Sequence, residues 1–273
     1  MPVKISQILD AALFEQPSSV YNQSLALVAI ALCSDKFTQD MQALGFVDFK
    51  MYTPVGKEIP RFAIGQQSLR LNGEDVALIA ILLQGTGNTA AQWLNDFKIW
   101  KKHYCGQLVH SGFKAYTDEV WRALNTFLDE RPQLPAKKKL FIAGHSAGGA
   151  GANLLALRLQ YERQHIAYRE DIYAYCFATP NTCYNQYTNV AELDNIFNII
   201  NTEDIVPKIP FTKNWRKLGH ILCFASENTY DVHGLDAYTQ GILHAEFTTQ
   251  APGLTASWFF KWMKSFWGLI GGK

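Results

Sequence analysis

At 273 residues and 48% hydrophobic content, the chain can bury one large core, and no linker-like stretch divides it. Its 25 Lys and Arg against 24 Asp and Glu leave a formal net charge of +1. With no basic stripe interleaved with aromatics, no nucleic-acid partner is expected.

The amino terminus shows no basic region followed by an apolar core and a cleavage site, so the expectation is a cytoplasmic or leaderless chain. Ser24 to Cys33 is apolar but lies well inside the chain between polar flanks, which predicts a buried helix. The helical region runs to Leu44 and is closed by Gly45. Asn72-Gly73 is a hairpin signal joining Phe62–Leu71 to the apolar run Val76–Leu83. That run ends in Gln84-Gly85-Thr86-Gly87-Asn88-Thr89, a buried strand meeting a polar loop.

Trp93, Leu94, Phe97, Ile99 and Trp100 then predict an apolar stripe on a short helix between Thr89 and Tyr104. Tyr116, Val120, Leu124, Phe127 and Leu128 stripe a longer helix. Lys137-Lys138-Lys139 is expected to be solvated at a strand entrance, and Leu140–Ala143 reads as a short buried strand. Further strands fall at Ile172–Ala178, Ile196–Ile200 and Ile221–Phe224. An antiparallel start followed by strand–helix alternation predicts a mixed, mostly parallel α/β sheet with helices on both faces.

The chemistry concentrates at Gly144-His145-Ser146-Ala147-Gly148, where G-x-S-x-G stands between an apolar strand and a helical pattern carrying Asn153, Leu154, Leu157 and Tyr161. Strand, sharp turn and helix make a nucleophile elbow, with Ser146 as candidate nucleophile. A serine hydroxyl needs a base, and the base needs a carboxylate to fix its tautomer. Asp204 follows the strand Ile196–Ile200 and so sits where open α/β sheets place their sites. Read blandly, it is a loop aspartate or a helix cap.

Of the three histidines after it, His233 is the candidate base, because it lies in a loop just before the helical pattern of Leu235, Tyr238 and Ile242. His220 abuts Ile221-Leu222-Cys223-Phe224 and reads as an edge-of-strand structural residue, and His244 as a helix-terminal one. The backbone N–H groups of Thr86 and Ala147 are the candidate oxyanion hole.

These motifs, taken together, resemble the class 3 or fungal-type triacylglycerol lipases of the α/β-hydrolase superfamily. Gln84-Gly85-Thr86 with Trp93 and Asp96 is similar to that family's Arg-Gly-Thr/Ser and Trp-x-x-Asp block, and Val109-His110-Ser111-Gly112-Phe113 to its Val-His-x-Gly-Phe. Phe177-Ala178-Thr179-Pro180, Asn201 through Pro207, and His233 with Tyr238 continue the likeness, which covers about residues 75 to 245. His110 and His145 match positions beside the site and read as hydrogen-bonded core histidines.

One departure is Gln84, which cannot carry the fixed charge of the arginine expected there; a neutral hydrogen bond has to replace any ion pair with a carboxylate such as Asp96. The resemblance implies an α/β-hydrolase fold and a serine hydrolase, without cofactor or metal, that cleaves carboxylic esters of lipids through an acyl-enzyme. The resemblance implies a mobile lid at 89–104, and a fixed helix packed on the sheet is the alternative reading of the same stripe. Rival readings are a phospholipase or short-chain carboxylesterase with the same triad, and an inactive hydrolase-fold binding protein.

Cys33, Cys105, Cys176, Cys183 and Cys223 show no zinc-type spacing; free thiols are the simpler reading, with a Cys176–Cys183 bridge left open. The expected organisation is one hydrolase domain over 1–256 and an aromatic amphipathic segment over 257–273. In that segment Trp258, Phe259, Trp262, Met263, Phe266, Trp267 and Ile270 recur at helical spacing opposite Lys261 and Lys264. It is too short and too charged to span a bilayer, and it would dock on a lipid surface, on a partner or on the protein itself.

Overall fold

Alternation of side chains along central strands buried on both faces builds a mixed, mostly parallel sheet with helices on both sides. A computed structural model describes residues 9–54, 59–85, 100–162, 166–184, 190–226, 231–244 and 246–248. Strands β1 (Val47–Tyr52), β2 (Phe62–Leu71), β3 (Glu74–Leu83), β6 (Lys138–His145), β7 (Ile172–Phe177), β9 (Ile196–Asn201) and β11 (His220–Phe224) form a seven-stranded sheet in the order β1-β2-β3-β6-β7-β9-β11. The first two pairings are antiparallel and the rest parallel, as the hairpin and the later alternation predict.

Along β3, Ala77, Ile79, Ile81 and Leu83 face one core while Val76, Leu78, Ala80 and Leu82 face the other, the period-2 consequence of a pleated strand. Helices α3 (Ser111–Asp129) and α4 (Ala147–Glu162) cover the first face, and α1 (Gln23–Ala31), α2 (Phe37–Ala43) and α5 (Leu235–His244) the second. The predicted stripe of α3 is buried through Tyr116, Val120, Leu124 and Phe127, each contributing about 1.5–3 kcal/mol on removal from water. Gln23 Nε2 donates to the Ile242 carbonyl at 2.6 Å and ties α1 to α5.

A second, four-stranded sheet, in the order β10-β8-β5-β4, was not foreseen from the sequence: β4 (Lys101–Tyr104), β5 (Gln107–His110), β8 (Cys183–Tyr184) and β10 (Trp215–Arg216) are too short to show a period. This corrects the helix expected through Trp100 to Tyr104, because Lys101–Tyr104 pairs antiparallel with β5 and Trp100 is exposed. Cross-strand hydrogen bonds override the apolar spacing there.

The lysine run also needs correction. Lys137 is exposed, but Lys139 is 7% exposed, its ammonium 2.6 Å from Asp171 and 3.0 Å from the Tyr173 hydroxyl. Cys176, Cys183 and Cys223 are separate buried thiols. Among the described residues no helix is long and apolar enough to cross a membrane. Thr86, Trp93, Asp96, the 89–99 part of the predicted lid and the 257–273 segment lie outside the described residues.

Candidate active site

Ser146 stands between β6 and α4 with φ of 59°, in the left-handed region that costs a non-glycine residue on the order of 1–3 kcal/mol. The turn is pinned from both sides: Ser146 N donates to the Phe177 carbonyl at 2.9 Å, and its own carbonyl accepts from Ala150 N at 3.1 Å. A Cβ on Gly148 would strike the Leu83 carbonyl, so only glycine lets the start of α4 sit against the end of β3. A Cβ on Gly85 would lie 2.9 Å from the His145 carbonyl and 3.1 Å from Ser146 Cβ. The residue before Thr86 therefore rests on the candidate nucleophile.

Asp204 lies just beyond β9, its N–H closing a turn on the Asn201 carbonyl at 3.1 Å. Its carboxylate is fully engaged: Oδ1 accepts from Val206 N at 2.9 Å, while Oδ2 accepts from the Tyr238 hydroxyl at 2.9 Å and lies 2.7 Å from His233 Nδ1. Because a carboxylate only accepts, the network assigns the proton to Nδ1 and leaves Nε2 as the basic nitrogen. The Asp204 side chain is 1% exposed and that of His233 29%, so the acid is hidden and the imidazole reachable. Burial opposes the imidazolium of His233, yet the charge of Asp204, their hydrogen bond and the charge of Asp231 outweigh it and hold His233 above its ordinary value.

The His233 ring centre is 4.7 Å from that of His145, which immediately precedes Ser146. Burial, reinforced by the neighbouring His233, keeps His145 far below the ordinary histidine range and hence neutral. His220, His244 and His110 are placed as expected. His220 starts edge strand β11 and stacks on Phe197 at 5.5 Å, and His244 is exposed at the end of α5. Nδ1 of His110 accepts from Gly112 N at 3.1 Å and caps α3, and burial lowers its pKa to about 4.

Gln84 is buried, and its Oε1 accepts from Arg61 Nε at 3.0 Å; Arg61 Nη2 lies 3.9 Å from Asp35. Gln84 is thus paired with a guanidinium from the residue just before β2, whose carbonyl also accepts from Gln84 N at 3.1 Å. Sequence reasoning missed the supports around the acid. Asn201 Nδ2 donates to the Val232 carbonyl at 2.9 Å, tying β9 to the histidine loop, and Tyr238 reaches Asp204 from α5. The only signal for either was its place in the matched motifs.

Residues 80–214 match the family model of the class 3 lipases. That segment, just under half of the chain, is similar to the class 3 lipases. The chain is 31% identical to the lipase of Rhizomucor miehei over 144 residues, covering 50% of this chain and 39% of that protein. It is 28% identical to the toxin TseL of Vibrio cholerae over 117 residues, covering 43% of this chain and 17% of the toxin. The matched stretch thus spans well under half of either curated relative. Among solved structures, a triacylglycerol lipase whose catalytic centre is a serine protease triad aligns with a TM-score of 0.56 at 22% identity, over 73% of this chain and 77% of that one. That likeness is one of fold.

Proposed function

We propose that this chain is a serine hydrolase of lipid carboxylic esters, with Ser146 as nucleophile, His233 as base and Asp204 as the acid that orients it. The observation that carries the reading is the 2.7 Å Asp204–His233 contact, set beside a serine held in the left-handed region of a strand–turn–helix elbow. His233 Nε2 would take the hydroxyl proton as Ser146 Oγ bonds to the ester carbonyl carbon, and Asp204 would stabilise the resulting imidazolium. The backbone N–H groups of Ala147 and Thr86 are assigned to the oxyanion. Collapse breaks the carbon–alkoxide bond, and the alcohol leaves with the proton from His233. Water, deprotonated by the same imidazole, then cleaves the acyl-enzyme, releasing the acid and returning the proton to Ser146. No step draws on a cofactor.

The class 3 relationship supports acylglycerols or similar lipids as the substrate class. A fluorophosphonate probe tests the mechanism: a stoichiometric adduct mapped to Ser146 is expected, and absence of an adduct, or an adduct elsewhere, refutes it. A panel of esters graded in chain length and head group tests the substrate class, with long-chain acyl esters expected to be preferred.

A further inference from the structure

Behind Asp204, the loop Pro207–Pro210 is held by one buried ammonium and one asparagine. Lys217 is 8% exposed, and its Nζ donates to the Asn181 side-chain oxygen at 2.9 Å and to the Pro207 carbonyl. Asn181, just beyond β7, donates from its backbone N–H to the Ile209 carbonyl at 2.7 Å, and from Nδ2 to the carbonyls of Lys208 at 3.3 Å and Pro210 at 3.2 Å. Four consecutive carbonyls of the segment that leads away from the acid are thereby fixed by two residues. Lys208 adds a bond from Nζ to the Thr202 carbonyl at 2.7 Å, which closes the loop on itself.

Neither lysine belongs to the serine, base or acid assigned above, yet both feel the charge of Asp204. Burial lowers Lys217 to about 7 and Lys208 to about 8; Asp204 and Cys223 oppose this for both, Glu203 opposes it for Lys208, and Lys208 adds to it for Lys217. The groups acting on His233 are Asp204, Asp231 and the neutral His145.

We propose that Lys217 is a positioning residue for the catalytic acid: with Asn181 it fixes the loop behind Asp204 and so holds the carboxylate against His233. The proposal rests on the serine-hydrolase reading. Its test follows kcat and KM for a soluble ester, and the rate of fluorophosphonate labelling, across pH in the wild-type protein and in Lys217→Met, Lys217→Gln and Asn181→Ser, with the thermal transition reporting folding.

In both Lys217 variants and in Asn181→Ser, kcat and the labelling rate fall by up to about 100-fold with KM held and the thermal transition retained. A folded Lys217 variant with wild-type kcat overturns the proposal. If neither Lys217 variant folds, a wild-type kcat in Asn181→Ser overturns it. Wild-type protein that does not label at Ser146 instead refutes the serine-hydrolase reading, a result separable from the other two.

Discussion

Asp204 Oδ2 receives both His233 Nδ1 and the Tyr238 hydroxyl, so each donor sets how strongly the carboxylate acts on the other. The base works only as neutral imidazole, and His233 is held above its ordinary 6.5. Hydrolysis is therefore expected to fail as pH drops through a value above 6.5, and a pH profile of kcat/KM checks it. Tyr238→Phe removes a donor from Oδ2, which strengthens the pull of Asp204 on the imidazolium and moves that limb higher still. The same change strips the Asn201 N–H of its acceptor at 3.2 Å, so chemical denaturation should show a loss of about 1–3 kcal/mol. Ser146→Ala and His233→Ala are each expected to lower kcat by on the order of 10⁴–10⁶-fold with the melting transition nearly intact, because the triad fails as a unit. His220→Ala and His244→Ala keep turnover in the same ester assay. The serine was legible because strand, glycines and helix surround it within a short window of sequence. The choice among three histidines rested on local context, and the contact that supports it joins residues 29 apart.

Helix α3 begins on a cap that titrates. His110 Nδ1 can accept from Gly112 N only while unprotonated, and burial holds the folded pKa at about 4 against an ordinary 6.5. Above pH 6.5 both folded and unfolded states are neutral and stability is full. Between 6.5 and about 4 the unfolded chain takes up a proton that the folded state refuses, and stability falls by up to about 3 kcal/mol. Below about 4 this contribution stays constant. His110→Asn, which caps without titrating, is expected to flatten that part of a urea-denaturation series over pH. His145 acts in the same direction, so the flattening is partial. The long elements α3, β3 and β6 were visible in sequence because their periods run over many residues. The small sheet of β4, β5, β8 and β10 was not, since strands of two to four residues are set by their partners.

Across the whole molecule, the candidate chemistry gathers at the carboxyl edge of the parallel strands, and a separate brace sits at the other end. Lys139, Asp171 and Tyr173 form a buried cluster near the start of β6, and Tyr173 Oη lies 3.0 Å from the Phe14 carbonyl and 2.6 Å from that of Gln16. Lys139→Met leaves Asp171 largely buried without its cation, so equilibrium unfolding should register a loss of about 3 kcal/mol. Turnover per folded molecule is expected to hold, because β6 carries the brace about 20 Å from the elbow. The sequence by itself determined the long strands and helices in chain order and the strand–turn–helix elbow, because these follow from side-chain period and from glycines that steric contact requires. Only the tertiary structure decided that Lys139 is buried, that Arg61 pairs with Gln84, and that Lys217 and Asn181 stand behind Asp204. Those pairings join strands and loops that are distant in sequence, and a buried charge announces itself only through the partner that folding brings to it.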